Sequence, residues 1–183
     1  MKFTSATTSW GCSHEKEARE FYCRAMSAVH DNFGIEEAGL FIHENVPVFG
    51  ASPDGIVTCD CCGSCVLEMK CPYCLRSSSL AGYTETKSCL EEMVNGLQLK
   101  QTHPYHYQVQ SQIFLCDKKF ADLVVFTEKK VNIKRVATRA SGMKEARRQP
   151  TLPQHCHHAG SRFYSRKNMP PVLTPKNSND TKK

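Results

Sequence analysis

Residues 50–73, GASPDGIVTCDCCGSCVLEMKCPY, give the strongest indication of secondary structure in this chain. Two apolar and β-branched runs, 56–58 and 66–69, flank a segment of turn-forming residues, and this order predicts a β-hairpin. Side chains alternate along a strand, so Glu68 and Lys70 project from one face about 7 Å apart. If the turn centres near Cys61-Cys62, Asp54 lies across from Lys70 and within one pair of Glu68. The sequence therefore predicts two carboxylates and one amine at one edge of the hairpin.

An amphipathic helix is predicted upstream of this hairpin, from Ser13 to about Val29. Its apolar residues recur with helical spacing. They are Ala18, Phe21, Tyr22, Ala25, Met26 and Val29. Glu15 lies three residues before Ala18 and projects from the same stripe. A buried carboxylate is costly unless a cation or hydrogen-bond donors satisfy it, whereas an exposed first turn would leave Glu15 in solvent. Both interpretations are open at this point.

Three acids and one lysine from separate elements form the candidate site. An acid and a lysine on one strand are most commonly a solvated face, so Glu68 and Lys70 alone indicate little. Together, however, Glu15, Asp54 and Glu68 are hard oxygen ligands of the kind that Mg²⁺ or Mn²⁺ prefers. Lys70 beside them is suited to activate a water molecule or to stabilise developing charge.

The chain between this hairpin and residue 135 alternates between helix and strand patterns. A short helix is predicted over about residues 89–97, and Pro104 opens a second helix through about Leu115. Residues 120–127 have the near-continuous apolar pattern of a buried strand. Residues 131–133 alternate as an edge strand does.

The C-terminal part, residues 137–183, has five prolines and no apolar period, and it is predicted to be a disordered basic tail after a domain of residues 1–136. Residues 1–127 carry 10 Lys/Arg against 15 Asp/Glu, whereas residues 128–183 carry 14 against 3. The basic residues best placed for sequence-independent, salt-sensitive contact with DNA phosphates are Lys129, Lys130, Lys134 and Arg135.

Length and hydropathy bound the class of protein. A chain of 183 residues suits one globular domain. No apolar stretch approaches the ~20 residues of a bilayer span, and the first residues lack the apolar core of an export signal. We therefore expect a soluble, intracellular protein with no membrane partner, and the basic tail favours the nucleus.

Eleven cysteines in such a chain indicate thiols or metal ligands rather than disulfides. Cys62-x-x-Cys65 and Cys71-x-x-Cys74 have the spacing of a zinc ribbon, but an extended strand between the pairs would hold them about 20 Å apart. A local zinc site at the hairpin tip and a set of reduced thiols are both open. The tip cysteines are Cys59, Cys61, Cys62 and Cys65. His155-Cys156-His157-His158 is predicted to bind metal only adventitiously.

Four ordered strings of this chain resemble a known family. Pro53-Asp54 followed by Glu68-Met69-Lys70 has the form of the PD-(D/E)xK nuclease motif. The longer strings GASPDG at 50–55, LEMKCPY at 67–73 and YQVQ at 107–110 are similar to the YqaJ-type viral recombinases, relatives of phage lambda exonuclease. Trp10-Gly11, with Glu15 and Ala18 after it, resembles the opening helix of that family.

The resemblance implies an α/β fold with a restriction-endonuclease-like core, in which helices flank a mixed β-sheet. It also implies metal-dependent hydrolysis of DNA, as an exonuclease on linear duplexes in recombination or end processing. Asp54 and Glu68 would hold Mg²⁺ or Mn²⁺, with Glu15 helping directly or through water. Lys70 would position and activate the attacking water, and Gln108 matches the active-site glutamine. Ring-forming relatives suggest a homo-oligomer by analogy alone.

Two departures from the family pattern define the alternatives. Members usually begin with another helix before the Trp-Gly motif and continue into a helix that covers the sheet, a pattern that this chain loses after Arg135. A truncated or degenerate nuclease copy is therefore one alternative. The other is a non-catalytic zinc- or nucleic-acid-binding module that uses the cysteine-rich tip and the basic tail.

Overall fold

A computed structural model describes residues 5–76, 89–94, 96–138 and 162–165. The helices are α1, Ala6–Ser27, and α2, Pro104–Leu115, with a 3₁₀ turn at Tyr73–Leu75. The strands are β1 Gly34–Glu36, β2 Phe41–Ile42, β3 Gly50–Ala51, β4 Gly55–Cys59, β5 Gly63–Lys70, β6 Leu90–Met93, β7 Gly96–Leu99, β8 Phe120–Phe126, β9 Lys130–Ala137 and β10 Arg162–Ser165.

Six of these strands form a mixed sheet in the order β1-β4-β5-β8-β9-β10. Strands β5 and β8 run parallel, and the other neighbouring pairs are antiparallel. Helix α1 packs on one face and α2 on the other, because alternate residues of β5 and β8 belong to two separate hydrophobic clusters. The predicted α/β architecture of a mixed sheet flanked by helices is confirmed.

The centre of the sheet is β8, whose seven residues are all buried. A strand covered on both faces can be apolar throughout, which is why Phe120–Phe126 shows a continuous rather than an alternating pattern. Val124 packs towards α1, and its neighbour Leu123 packs towards α2. The prediction of a buried strand here is confirmed.

Helix α1 begins earlier than its apolar stripe predicts. Ser5 caps the helix by accepting a hydrogen bond from the backbone N–H of Thr8, and Ala6 is the first helical residue. The turns before Ala18 are largely polar and exposed, so the apolar period does not reveal them. Glu15 therefore lies inside the helix rather than in its first turn.

The hairpin of β4 and β5 forms as predicted, but in a different register. Cys59 pairs with Gly63 and Gly55 with Leu67, so the loop consists of residues 60–62. Gly63 has a φ of 77°, the left-handed conformation that a three-residue hairpin loop requires and that glycine adopts without steric cost. As a result the register brings Asp54, just before β4, level with Glu68 rather than with Lys70.

The helix predicted over residues 89–97 is wrong, because this segment contains the hairpin of β6 and β7. Met93 pairs with Gly96, whose φ is 97°. Asn95 and Gly96 are turn-forming residues that favour a hairpin, and they outweigh the weak helical spacing around them.

The predicted tail contributes one described segment, β10, which pairs with β9 as an antiparallel neighbour. Residues 162–165 therefore differ from the expectation of disorder. The physical reason is that β9 has an edge with unpaired backbone groups, and Arg-Phe-Tyr-Ser contains two aromatic residues that favour strands. The rest of the predicted tail lies outside the described residues. Among the described helices, none combines the length and the apolarity that a bilayer crossing requires.

Candidate active site

Asp54 is fixed between the hairpin and α1. Its backbone N–H donates to the carbonyl of Leu67 at 3.0 Å, and its carbonyl accepts from both terminal nitrogens of Arg19 at 3.1 and 3.2 Å. Its side-chain Oδ2 accepts from the backbone N–H of Met69 at 2.6 Å. Strand β5 therefore orients the Asp54 carboxylate, and Arg19 of α1 holds the Asp54 backbone just before β4.

Glu68 is the most deeply buried acid of the site, with 2% of its surface exposed. Its Oε1 accepts from Lys70 Nζ at 2.5 Å and from Gln108 Nε2 at 2.6 Å, and its Oε2 accepts from Gln112 Nε2 at 2.7 Å. Burial raises the pKa of Glu68, and the charge of Asp54 raises it further, whereas Lys70 and the hydrogen bond from Gln112 lower it.

Lys70 ends β5 beside Glu68, and the face of the Tyr105 ring lies under its ammonium group. The distance from Nζ to the ring centre is 4.9 Å, within the range of a cation–π contact. A cavity of about 210 Å³ opens beside these two side chains. Its wall includes Gly11 and Glu15 of α1, so the amine and an acid face the same space.

Glu15 is exposed, yet it belongs to this cluster because its carboxyl lies close enough to Asp54 for the charge of Asp54 to act on it. Burial of its carboxyl raises its pKa, and the neighbouring charge of Asp54 raises it further. Arg19 and Lys70 oppose this shift. The two interpretations of Glu15 are thus both partly right: the side chain reaches solvent, and it also faces the other acids.

All five residues that the sequence placed at the site lie together in the structure. Hydrogen bonds join Lys70 and Gln108 to Glu68, and the hairpin register brings Asp54 level with Glu68. Glu15 approaches Asp54 from α1, close enough for the charge of Asp54 to act on it. Their roles in chemistry stay predictions.

Two side chains of the site were not anticipated from the sequence. Gln112 is buried and bonds Glu68, and it lies four residues after Gln108, so both amides lie on one face of α2. That i, i+4 spacing was a usable signal. Gln110 lies off this face and donates instead to the carbonyl of Ala137. The sequence could not identify Arg19, because Arg19 bonds the backbone carbonyl of Asp54 and a backbone carbonyl is present at every residue.

The lysines predicted to contact DNA lie in two places. Lys129 and Lys130 lie at the turn between β8 and β9. This turn is at the same edge of the sheet as Lys70, because β5 and β8 run parallel and end together. Lys134 is half-buried on β9, and burial lowers its pKa.

Arg135 lies in the interior instead. It donates to both carboxylate oxygens of Asp122 at 2.9 and 3.1 Å, and Asp122 also accepts from the Tyr22 hydroxyl at 2.8 Å. Its guanidinium lies 4.1 Å from the ring centre of Phe120. This placement differs from the expectation that Arg135 lies on the surface to contact a phosphate. Its partner Asp122, 13 residues upstream, has no local signal in the sequence.

The arrangement offers a defined chemistry. Three carboxylates supply hard oxygen ligands for a divalent cation, and an ammonium group lies next to the most buried of them. An amine at 2.5 Å from a buried carboxylate is placed to orient a nucleophile or to stabilise an oxyanion. Gln108 is exposed and donates to the same carboxylate from the solvent side.

Comparisons with known proteins agree with this geometry. The family described as the YqaJ-like viral recombinase domain matches residues 1–119. Among solved structures, the chain is similar to an alkaline exonuclease (LHK-Exo) from Laribacter hongkongensis at 22% identity and a TM-score of 0.52, covering 74% of this chain and 60% of that one. LHK-Exo in complex with dAMP is similar at 22% identity and a TM-score of 0.53, covering 76% and 62%.

At this identity the likeness to the exonuclease shows a shared fold. The chain spans about three-fifths of the length of that exonuclease, with 60% and 62% covered in the two structures. A search among curated proteins gave no match.

Proposed function

Because this chain belongs to the YqaJ-like viral recombinase domain family, we propose that its acidic site hydrolyses phosphodiester bonds in DNA. The observation that carries the proposal is the environment of Glu68, a carboxylate only 2% exposed with three side-chain donors around it. Burial of a charged acid is expensive for a fold, and acids with raised pKa values beside a specific partner cluster at active sites. The cavity that Lys70 and Glu15 line would admit a substrate beside this carboxylate.

The donor set fits a hard divalent cation, Mg²⁺ or Mn²⁺. The candidate ligands are carboxylates, which these ions prefer to sulfur or imidazole. The charge of Asp54 raises the pKa of both Glu15 and Glu68, so a bound cation would relieve a repulsion that the acids now carry. We assign Asp54 and Glu68 as ligands, with Glu15 acting directly or through water. The ion would lower the pKa of the attacking water and offset charge on the phosphate.

The remaining side chains orient the reactants. Lys70, held by Glu68 and the Tyr105 ring, would position the attacking water and stabilise the charge that develops on the phosphate. Gln108 bonds Glu68 from the solvent side and can also donate to the substrate. Gln112 bonds Glu68 from within the core and so fixes the orientation of its carboxylate.

We propose linear duplex DNA as the substrate, cut as an exonuclease in recombination or end processing. The family relationship supports this form of the activity, as does the similarity to an alkaline exonuclease whose structure is also known in complex with dAMP. Lys129 and Lys130 lie at the sheet edge of Lys70, where they would contact the phosphates of the bound strand. Such contacts are independent of sequence and weaken with salt.

A nuclease assay tests the proposal. The full chain is incubated with end-labelled linear duplex DNA or with covalently closed circular DNA, in the presence of Mg²⁺, Mn²⁺ or EDTA. We expect loss of the linear substrate with either metal, survival of the circle, and no reaction with EDTA. Lys70→Ala should be inactive while its circular dichroism spectrum is unchanged. Lys119→Ala, an exposed lysine before β8, is the matched control and should stay active.

Folded wild-type protein that leaves both substrates intact with either metal would overturn the proposal. Cleavage of the circular DNA would show that the enzyme is an endonuclease rather than an exonuclease. Equal activity in Lys70→Ala and Lys119→Ala would show that Lys70 has no role in the hydrolysis.

A further inference from the structure

A second cluster of metal-ligating side chains lies at the other end of the β4–β5 hairpin. Cys59 ends β4, Cys61 and Cys62 lie in the loop, and His30 follows the C-terminal end of α1. One ligand atom from each residue lies within 4.8 Å of the others. His30 and Cys59 are buried, so the cluster is largely closed to solvent. This end of the hairpin plays no part in the proposed hydrolysis.

Five of the six distances between the ligand atoms can be compared with those of a tetrahedral zinc site. His30 Nδ1 lies 3.6 Å from Cys59 Sγ, 3.7 Å from Cys62 Sγ and 2.8 Å from Cys61 Sγ. Cys61 Sγ lies 3.6 Å from Cys59 Sγ and 3.7 Å from Cys62 Sγ. Zinc–sulfur bonds of about 2.3 Å and zinc–nitrogen bonds of about 2.0–2.1 Å in a tetrahedron separate the ligand atoms by about 3.8 Å (S···S) and about 3.6 Å (S···N).

Four of these five distances agree with the tetrahedron to within about 0.2 Å, and the fifth, from His30 to Cys61, has to widen. The sulfur atoms are far beyond the ~2.05 Å of a disulfide, so no disulfide joins Cys59, Cys61 and Cys62. We propose that this chain binds one Zn²⁺ ion through His30 Nδ1 and the Sγ atoms of Cys59, Cys61 and Cys62.

The chemistry of the ligands selects zinc over the cation of the acidic site. Thiolate and imidazole are soft and borderline ligands that suit Zn²⁺ in a tetrahedral site, whereas Mg²⁺ and Mn²⁺ prefer oxygen. Four protein ligands fill the coordination sphere, which is typical of a structural rather than a catalytic zinc site. Three thiolates and one Zn²⁺ leave a charge of about −1. Arg135, which donates to Cys62 Sγ at 3.5 Å, lies where it offsets that charge.

Hydrogen bonds outside the cluster hold its two segments together. The backbone N–H of Asp60 donates to the carbonyl of Asp31 at 3.0 Å, and Asn32 Nδ2 donates to Asp60 Oδ2 at 2.5 Å. The loop of the hairpin is therefore docked on the turn that contains His30. A site whose ligands come from both segments would fasten α1 to the hairpin.

This ligand set corrects the one expected from the sequence. Cys65 lies inside β5 with its side chain in the hydrophobic cluster under α1, so it does not join the tip cysteines. His30 takes its place, from a segment that the cysteine spacing could not identify. Cys71 lies beyond the other end of β5 and packs against that cluster, which excludes a ribbon with Cys62.

The zinc site acts on the fold rather than on the chemistry. It closes the loop whose register places Asp54 level with Glu68, and it anchors the helix that carries Glu15. Metal binding to a site that the unfolded chain lacks adds directly to folding stability. The inference stands independently of the proposed hydrolysis, since its readouts are metal content and spectrum.

Metal analysis of the purified full chain tests the site. Elemental analysis by inductively coupled plasma mass spectrometry should give one zinc ion per chain. The variants Cys61→Ser and His30→Ala should each contain no bound zinc. Replacing zinc with Co²⁺ should give the intense visible bands of a tetrahedral thiolate site. His30→Cys should retain the metal and increase the sulfur-to-cobalt charge-transfer band, since it adds a fourth thiolate. Cys12→Ser and Cys156→Ser are the matched controls and should bind zinc as wild type does.

Zinc that persists in Cys61→Ser, or that is lost in Cys156→Ser alone, would place the ion elsewhere and overturn the inference. So would wild-type protein that contains no zinc and gives no tetrahedral Co²⁺ spectrum. If Cys61→Ser does not fold, the wild-type Co²⁺ spectrum and its change in His30→Cys decide the matter.

Discussion

The two ends of one β-hairpin carry opposite kinds of ligand. At the open end of β4 and β5, the carboxylates of Asp54 and Glu68 lie beside Lys70, and the cavity there is lined by Lys70 and by an exposed Glu15. At the loop end, the ligand atoms are sulfur and an imidazole nitrogen, largely enclosed. The strand between them, Gly63–Lys70, spans roughly 25 Å at about 3.3 Å per residue. Each end can therefore hold its own ion.

One hairpin can thus support both chemistry and structure. Hard oxygen ligands bind Mg²⁺ or Mn²⁺ and leave positions open for water, whereas a closed set of thiolates and imidazole binds zinc permanently. A catalytic end has to be accessible, and the access weakens packing around it. A closed metal site at the opposite end would compensate for that weakness by fixing the hairpin register. The comparison predicts that changes at the open end leave the metal of the loop end in place.

The largest expected effect comes from Glu68→Gln. The substitution keeps the shape of the side chain but removes the charge that would hold the cation, so we expect cleavage of linear DNA to fall by about 10³-fold or more. Zinc content should stay that of wild type, because the loop end is untouched. Glu44→Gln, an exposed acid upstream of the hairpin, is the control. Loss of zinc in Glu68→Gln would contradict the independence of the two ends.

The next largest effect is expected in the interior behind the loop end of the hairpin. Asp122 holds Arg135, which in turn donates to Cys62, and Asp122→Asn leaves that guanidinium buried without its counter-charge. Breaking a buried pair in this way costs about 3–5 kcal/mol. Urea denaturation should show this loss in the free energy of unfolding, with Glu20→Gln on the exposed side of α1 as control. A loss below about 1 kcal/mol would mean that water already satisfies Arg135.

Local patterns in the sequence predicted the elements that a single segment defines. The hairpin of β4 and β5, the buried strand β8 and the helix opened by Pro104 all follow from local apolar spacing and turn residues. The start of α1 escapes such a prediction because its first turns are polar and exposed, which leaves no period to detect. The segment of β6 and β7 shows weak helical spacing, although Asn95-Gly96 signals a hairpin.

The residues of the two candidate sites likewise differ in how far local sequence patterns predict them. Asp54, Glu68 and Lys70 are predictable because alternation and hairpin pairing bring them together within one motif. The interior position of Arg135 and the presence of His30 in the cysteine cluster depend on contacts with distant segments. Composition cannot reveal such contacts. An arginine near a basic tail is expected to lie on the surface, and a single histidine gives no indication of a metal site.

A smaller effect should distinguish the two faces of α2. Gln112 lowers the pKa of Glu68 through its hydrogen bond, so Gln112→Met should raise that pKa. Cleavage requires the ionised carboxylate, and the acidic limb of the pH–rate profile should therefore move to higher pH, with about tenfold lower activity. Gln110→Met, on the same helix but bonded to the carbonyl of Ala137, should leave the profile unchanged. Identical profiles for both variants would mean that Gln112 only packs.

The smallest expected effect concerns DNA binding at the edge of the open end. Lys129→Gln removes one cation at the β8–β9 turn, so the slope of log binding constant against log salt concentration should fall by about 0.9, the value for one phosphate contact. Fluorescence anisotropy in the Glu68→Gln background measures binding without cleavage. Lys119→Gln, at the opposite end of β8, removes the same charge from the other edge of the sheet. If both variants reduce the slope equally, net charge alone explains it, and the duplex does not lie along the edge that Lys70 shares with Lys129.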